Sequence, residues 1–267
     1  VIPKKKIIKQ MKHLLTFTLF ALLAAVPSLR AQEHKIAVEN TKDGRLTLDD
    51  FTGDLPIEGY SGNEIIITGN SERFETPDRA KGLKPVFPGG TDNTGLGVFF
   101  EKDGNKITLR CLLPITQSAN YKIRVPENLA LKIVRNCAKD GHTTIENMKN
   151  EVEFKGCHSI TLKNVTGPLV VSTISGNVNV VFSEISKDKP ISLASISGEV
   201  DVTLSAKAAV DLEMSTISGS MFTDFELAQD NKEMRRIGGG TIRSKINGGG
   251  TELKLRSISG NIYLRKG

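Results

Sequence analysis

Tryptophan is missing from the 267 residues and tyrosine occurs three times, so a sugar-binding surface built on aromatic platforms has little material to draw on. Cysteine is scarce as well. Three in a chain of this length exclude a disulfide scaffold and leave the core to aliphatic packing. Helical periodicity sustained over three turns is found nowhere beyond the N-terminal segment, which excludes a helical fold. No apolar run after residue 31 is long enough to span a bilayer.

An excess of one charge is the next absence. The formal net charge of +6 suggests an acidic partner, yet residues 1–31 hold six of the 36 basic residues and no acid. Residues 32–267 carry 30 bases against 30 acids. A general nucleic-acid binder needs a basic surface to displace counterions, so nucleic acid is not an expected partner. The same first residues read as an export address: "MKHLLTFTLFALLAAVPSLRAQ" has a basic start at Lys12 and an apolar run from Leu14 to Val26. Met11 is the expected true start, and cleavage is expected after Ser28 or Ala31. No cysteine near the cut invites a lipid anchor. About 236 residues remain, enough for a single domain over 32–267 with a substantial core.

Repetition is what the chain has in abundance. "STISGNVNV" at 172–180 returns as "ASISGEVDV", "STISGSMFT" and "RSISGNIYL". Aligned on Gly176, Gly198, Gly219 and Gly260, Leu169, Ile191, Leu212 and Leu253 stand seven residues earlier, and Val171, Leu193, Met214 and Leu255 five earlier. Ile174, Ile196, Ile217 and Ile258 stand two before the glycine; Val178, Val200, Met221 and Ile262 stand two after it. All sixteen are apolar and are expected to face inward, on strands either side of a corner where glycine supplies backbone freedom. The glycines are 22, 21 and 41 residues apart, the last close to two units. A fixed period near twenty predicts an all-β, single-stack β-solenoid with coils of about 20–22 residues, each stacked on the one before.

Upstream, "TGDLPIEGYSGN" at 52–63 shares the frame of "TGPLVVSTISGN" at 166–177, which places Leu55, Ile57 and Tyr60 inward. "VEFKGCHSITLKNVTG" adds a weaker rung in which Val152 and Phe154 keep the alternation. Residues 70–96, rich in glycine and proline, break the rhythm and read as a solvated insertion or an extra edge hairpin.

These stretches, with "YKIRVPENLALKI" and the closing "INGGGTELKLRSISGNIYL", resemble the DUF4097 family of β-strand repeat proteins, whose members carry an adhesin label. The N-terminal address is similar in style to that of Bacteroidota envelope proteins. The resemblance implies a β-solenoid in the periplasm or at the cell surface and carries over no catalytic or ligand residue.

Chemistry is sought in side chains that the repeat would stack. Ser175, Ser197, Ser218 and Ser259 form a column without a repeat-matched histidine, so turn hydrogen bonding is expected rather than nucleophilic catalysis. Cys137, His142, Cys157 and His158 form a second constellation. Buried, unreactive thiols are the expectation there, with a Cys137–Cys157 disulfide or a shared metal as alternatives, and Cys111 reads as core. A lyase or hydrolase would need carboxylates stacked across coils. Glu199 and Asp201 instead share one strand and have Asn177, Ser220 and Asn261, or Asn179, Phe222 and Tyr263, at the matching positions. Phe222 and Tyr263 point outward but fall two coils apart. "IGGG" at 237–240 and "NGGG" at 247–250 lack the following Lys-Ser/Thr of a phosphate loop and read as tight corners.

The expectation is a non-enzymatic exported protein, periplasmic or at the cell surface, that presents repeat faces to a glycan or a surface protein. It needs no cofactor, metal or catalytic residue. A polysaccharide lyase or hydrolase on the same scaffold, and an envelope-stress or assembly factor, are the alternatives. Self-association through the solenoid ends is open, with Arg265 and Lys266 placed to block the final edge by charge.

Overall fold

The computed structural model describes residues 32–69, 78–83, 86–114, 119–138, 140–187, 189–227 and 239–267. The expected export address and cleavage points lie outside the described residues, as do 70–77 and 84–85 of the insertion.

Strands dominate, in chain order β1 (Gln32–Ala37), β2 (Arg45–Asp49), β3 (Leu55–Tyr60), β4 (Glu64–Gly69), β5 (Val98–Asp103), β6 (Lys106–Cys111) and β7 (Tyr121–Pro126). Next come β8 (Ala130–Val134), β9 (Thr143–Glu146), β10 (Val152–Gly156), β11 (Ile160–Val165), β12 (Leu169–Thr173) and β13 (Val178–Phe182). The last are β14 (Ile191–Ser195), β15 (Val200–Leu204), β16 (Val210–Thr216), β17 (Met221–Thr223), β18 (Gly240–Ile246), β19 (Thr251–Ser257) and β20 (Ile262–Lys266). One 3-10 turn, Asp78–Ala80, is the only helical element among the described residues.

The strands fill two ten-stranded sheets. Sheet A runs β1-β4-β7-β3-β9-β11-β13-β15-β20-β17 and sheet B runs β18-β16-β19-β14-β12-β10-β8-β2-β6-β5. Strict alternation drives this arrangement: β14 and β15 each read buried, half-buried, buried, half-buried, buried, so each strand gives one face to a shared core. A rung is one strand in sheet B and the next strand in sheet A, and neighbouring rungs pair in parallel. Inside, Val152, Phe154, Leu169, Val171, Leu193, Val200 and Leu255 are all buried, as the alternation requires.

Chain order and spatial order part company at both ends. The rung β19/β20 sits between β14/β15 and β16/β17, and β2/β3 sits between β8/β9 and β6/β7. The 41-residue interval from Gly219 to Gly260 therefore leads back one rung instead of forward two. The stretch at 52–63 is corrected too. Leu55 and Ile57 are buried, but they lie in sheet A, on β3, whereas their supposed counterparts on β12 lie in sheet B. Tyr60 is half exposed, with the Arg124 guanidinium carbon 4.4 Å from its ring centre. An inward alternation is the same in either sheet and does not say which one it belongs to.

The isoleucines two before each glycine are the second correction. Ile174, Ile196, Ile258 and Ile217 are 47 %, 44 %, 43 % and 66 % exposed. Their strands end one residue earlier, at Thr173, Ser195, Ser257 and Thr216, and the corner turns the next side chain outward.

Four strands cap the pile by pairing antiparallel: β1 on β4, β4 on β7, β5 on β6 and β18 on β16. Of the four sheet edges, β1, β5 and β18 carry charge, with Lys35, Lys102 and Lys245 among their residues, and β17 has only three residues. These are the usual devices against strand pairing with another chain. Arg265 and Lys266 do not guard an edge, because β20 lies between β15 and β17. On the outer face of sheet B, Glu213 accepts from Arg256 at 3.0 Å and Arg243 at 3.1 Å, tying β18, β16 and β19 together. Those hydrogen bonds, Arg256 first, hold its carboxyl below the ordinary range.

Candidate functional site

At the corner that follows sheet B, the residue three before each glycine is Thr173, Ser195, Ser257 or Thr216, all buried. Ser195 Oγ donates to the Gly176 carbonyl at 2.8 Å and accepts from the Gly198 amide at 2.8 Å. Ser257 repeats this with Gly198 and Gly260, at 3.0 and 2.8 Å, and Thr216 with Gly260 and Gly219, at 3.2 and 3.0 Å. The hydroxyl ladder is thus structural and is built two positions before the serines the motif suggested. Ser175, Ser197, Ser218 and Ser259 are exposed. The signal was present, since every copy has serine or threonine at that place.

Removing one buried rung of the ladder by Ser195→Ala leaves a carbonyl and an amide without their partner and is expected to cost about 1–3 kcal/mol. Ser197→Ala, on the exposed side, is expected to stay within about 0.5 kcal/mol of the parent. Urea denaturation of both variants checks this, and equal losses would remove the ladder's structural role.

Cys137 and Cys157 are joined in a disulfide, with Cα atoms 5.1 Å apart. The expectation of free thiols is corrected. Cys137 lies past the end of β8 and Cys157 past the end of β10, so neither is held to the parallel side-chain direction of stacked strands. His142 instead meets Thr161 Oγ1, at 3.0 Å from Nε2, and His158 Nε2 lies 4.0 Å from the Asp140 carboxylate. No metal-ligand cluster occurs among the described residues. Next to them Arg135, 3 % exposed, donates to Thr143 Oγ1, the Gly53 carbonyl and the Asp140 carbonyl at 2.9, 2.7 and 3.2 Å. Burial lowers its pKa.

The outer face of sheet A beyond the corner brings together residues that the sequence places far apart. Phe222 pairs with Tyr263 and Tyr263 with Asp201, one rung to the next. The rings of Phe222 and Tyr263 stack with centres 5.2 Å apart and planes 13° apart. The insertion of β20 beside β17 makes them neighbours instead of two coils apart. Arg265 grips Asp201 through two hydrogen bonds, Nε to Oδ1 at 2.8 Å and an Nη to Oδ2 at 2.9 Å, and this fork raises its pKa further. Glu199 Oε1 accepts from Asn261 Nδ2 and from the Tyr263 hydroxyl, each at 3.3 Å. Asn177 Oδ1 accepts the Glu199 amide at 2.9 Å, and Asn261 Oδ1 the Ser220 amide at 3.0 Å.

Three parallel rows result, each crossing the same four rungs. The first is the isoleucine ridge, the second Asn177, Glu199, Asn261 and Ser220, and the third Asn179, Asp201, Tyr263 and Phe222. A cleft of about 210 Å³ opens at the end of the third row, between Phe222, Thr223, Asp224, Tyr263, Leu264 and Arg265. A larger cleft of about 650 Å³ lies at the return corner near Phe182, Lys187, Lys207 and Gly249. Its walls come mostly from connecting segments, and Lys187 and Lys207 share it with Glu184.

Residues 138–265 match the family model described as Toastrack DUF4097. Over that span, just under half of the chain, the sequence is similar to the DUF4097 family. The match covers the rungs from β9 onward, including all three rows, and stops short of the rungs before residue 138. No curated protein matches the chain. Among solved structures, a protein of Clostridium sporogenes named "putative cell adhesion protein" is 14 % identical, with 89 % of this chain and 100 % of that one covered and a TM-score of 0.47. A "putative adhesin" of Bacteroides fragilis is 12 % identical over 90 % of this chain and 98 % of that one, with a TM-score of 0.36. Another from Parabacteroides distasonis is 12 % identical over 89 % and 98 %, with a TM-score of 0.32. Likeness at this level says nothing about what the three rows bind.

Proposed function

We propose that this is an exported, non-enzymatic, adhesin-like protein, whose rungs act as one solenoid scaffold presenting the outer face of sheet A to a glycan or surface-protein partner. The observation that carries the reading is the set of three rows. An apolar isoleucine ridge beside two rows of polar and aromatic side chains, all stepped at the strand spacing of about 4.8 Å, suits an extended polymer lying along the pile better than a small substrate held in a closed pocket. Asp201 is engaged by Arg265 and Glu199 by Asn261 and Tyr263, which supports a binding role for these acids over a catalytic one. Export is supported by the N-terminal address and by the Cys137–Cys157 disulfide, since such bonds persist in oxidising compartments.

The test incubates residues 32–267 with bacterial, dietary and host polysaccharides and with matrix proteins, scoring both retention and new reducing ends or unsaturated products. Retention on one class of polymer without cleavage is expected. Depolymerisation would overturn the reading in favour of an enzyme.

A further inference from the structure

We propose that the cleft ending the third row is a subsite for one neutral pyranose ring of a glycan, with Phe222 as its platform. The inference rests on the presenting-face reading and narrows it to a ligand class and a place.

Phe222 is 50 % exposed although it is stacked on Tyr263. It stands on β17, the last strand of sheet A at that end, so no further described rung of that sheet covers it. A half-exposed aromatic ring in the wall of an open cleft that also carries charged and hydroxyl groups complements a pyranose, which has an apolar C–H face and a rim of hydroxyls. The cleft, at about 210 Å³, has room for one such ring and not for a folded peptide.

The polar groups around it supply both halves of a hydroxyl's hydrogen bonding. Asp224 accepts the Lys266 amide through Oδ1 at 2.9 Å, and a carboxylate has further acceptor capacity for a pair of adjacent hydroxyls. The Asp201 fork uses two of the five N–H groups of Arg265, leaving donors on the same planar group. Thr223 Oγ1 accepts the Phe225 amide at 3.1 Å and keeps its proton to donate. Asn261 and Tyr263, bonded to each other, then carry the polar contacts to Glu199 on the next rung.

Charge sets the class of sugar. Arg265 is already neutralised by Asp201, the Lys266 ammonium lies 5.3 Å from the Phe225 ring centre, and Asp224 and Glu199 add negative charge to the surroundings. A uronic acid would bring a further carboxylate to this place, which like-charge repulsion disfavours. A neutral hexose meets no such penalty.

Frontal affinity chromatography on immobilised residues 32–267, the compact unit that holds the whole described core, tests this with neutral gluco-, manno- and galacto-oligosaccharides. Oligogalacturonate is the acidic comparison. At least one neutral series is expected to be retarded and oligogalacturonate is not. Phe222→Ala is expected to weaken retardation about tenfold, with Phe222→Tyr retaining it. Because Phe222 is half exposed, the alanine variant should melt with the parent; if it does not, Asp224→Ala on the following bend carries the same comparison. Retardation of neutral sugars that survives both alanine variants, or a preference for oligogalacturonate, overturns the subsite while the presenting face stands. Retention on a matrix protein with no glycan retarded does the same, and retention on nothing overturns both.

Discussion

Gly198→Ala is expected to cost more than about 3 kcal/mol, at the upper end of what overpacking a rigid site produces. A Cβ on Gly198 would sit on the carbonyl of Gly176, one on Gly260 on the carbonyl of Gly198, and one on Gly219 on the carbonyl of Gly260. Each corner touches the next through backbone, and backbone in two parallel sheets cannot step aside without breaking the ladder of buried hydroxyls beside it. None of these glycines has a positive φ, so the requirement is close approach and not the backbone freedom expected from the motif. Gly240→Ala is the control, because a Cβ there meets nothing within 4 Å and the change is expected to stay within about 0.5 kcal/mol. Urea midpoints of the two variants decide the matter, and a Gly198 variant as stable as the Gly240 one would mean that the rungs are not in contact at their corners.

A chain ended after Leu227 is expected to lose the order of β16 and β17 as well as the strands removed. In this fold β16 pairs only with β18 and β19, and β17 only with β20, among the described strands. Deleting residues 228–267 therefore strips a rung that is still present of every strand partner, while β14 and β15 keep β12 and β13. Amide exchange over 210–223 is expected to accelerate at least ~10³-fold, the range separating folded from unfolded amides in a stable domain, with 191–204 still protected. Persistent protection over 210–223 would show that this rung can dock directly on β14/β15, as a solenoid stacked in chain order would have it.

The interior was the most legible part of the sequence. Positions seven and five before the corner glycine are buried in every copy, from Leu169 and Val171 to Leu253 and Leu255. Two after it, only Met221 on the edge strand is partly exposed. These positions follow from alternation, which survives any rearrangement of whole rungs. For the same reason alternation is silent on rung order: moving β19/β20 one place leaves every inward residue inward. The candidate site depended on that order, since Tyr263 reaches both Asp201 and Phe222 only when its strand lies between theirs. Parity carries more information than an alignment of apolar positions uses. Inward residues at seven and five before the glycine put the third before it inside as well, which identifies Thr173, Ser195, Thr216 and Ser257 and turns the isoleucines out. Cys137 and Cys157 escaped because both lie in corners, where strand geometry no longer directs the side chain.

The interleaving at the two ends bears on how such a protein can change over generations. In an open repeat array a duplicated unit added at a terminus simply lengthens the pile. Here the final unit, β19/β20, is locked beneath its predecessor, and β2/β3 is locked beneath its successor. A copied terminal unit would arrive where no vacant place exists. Growth is confined to the central rungs, between β8/β9 and β14/β15, where chain order and spatial order coincide, so lineages with longer or shorter versions should differ there while keeping both ends unchanged.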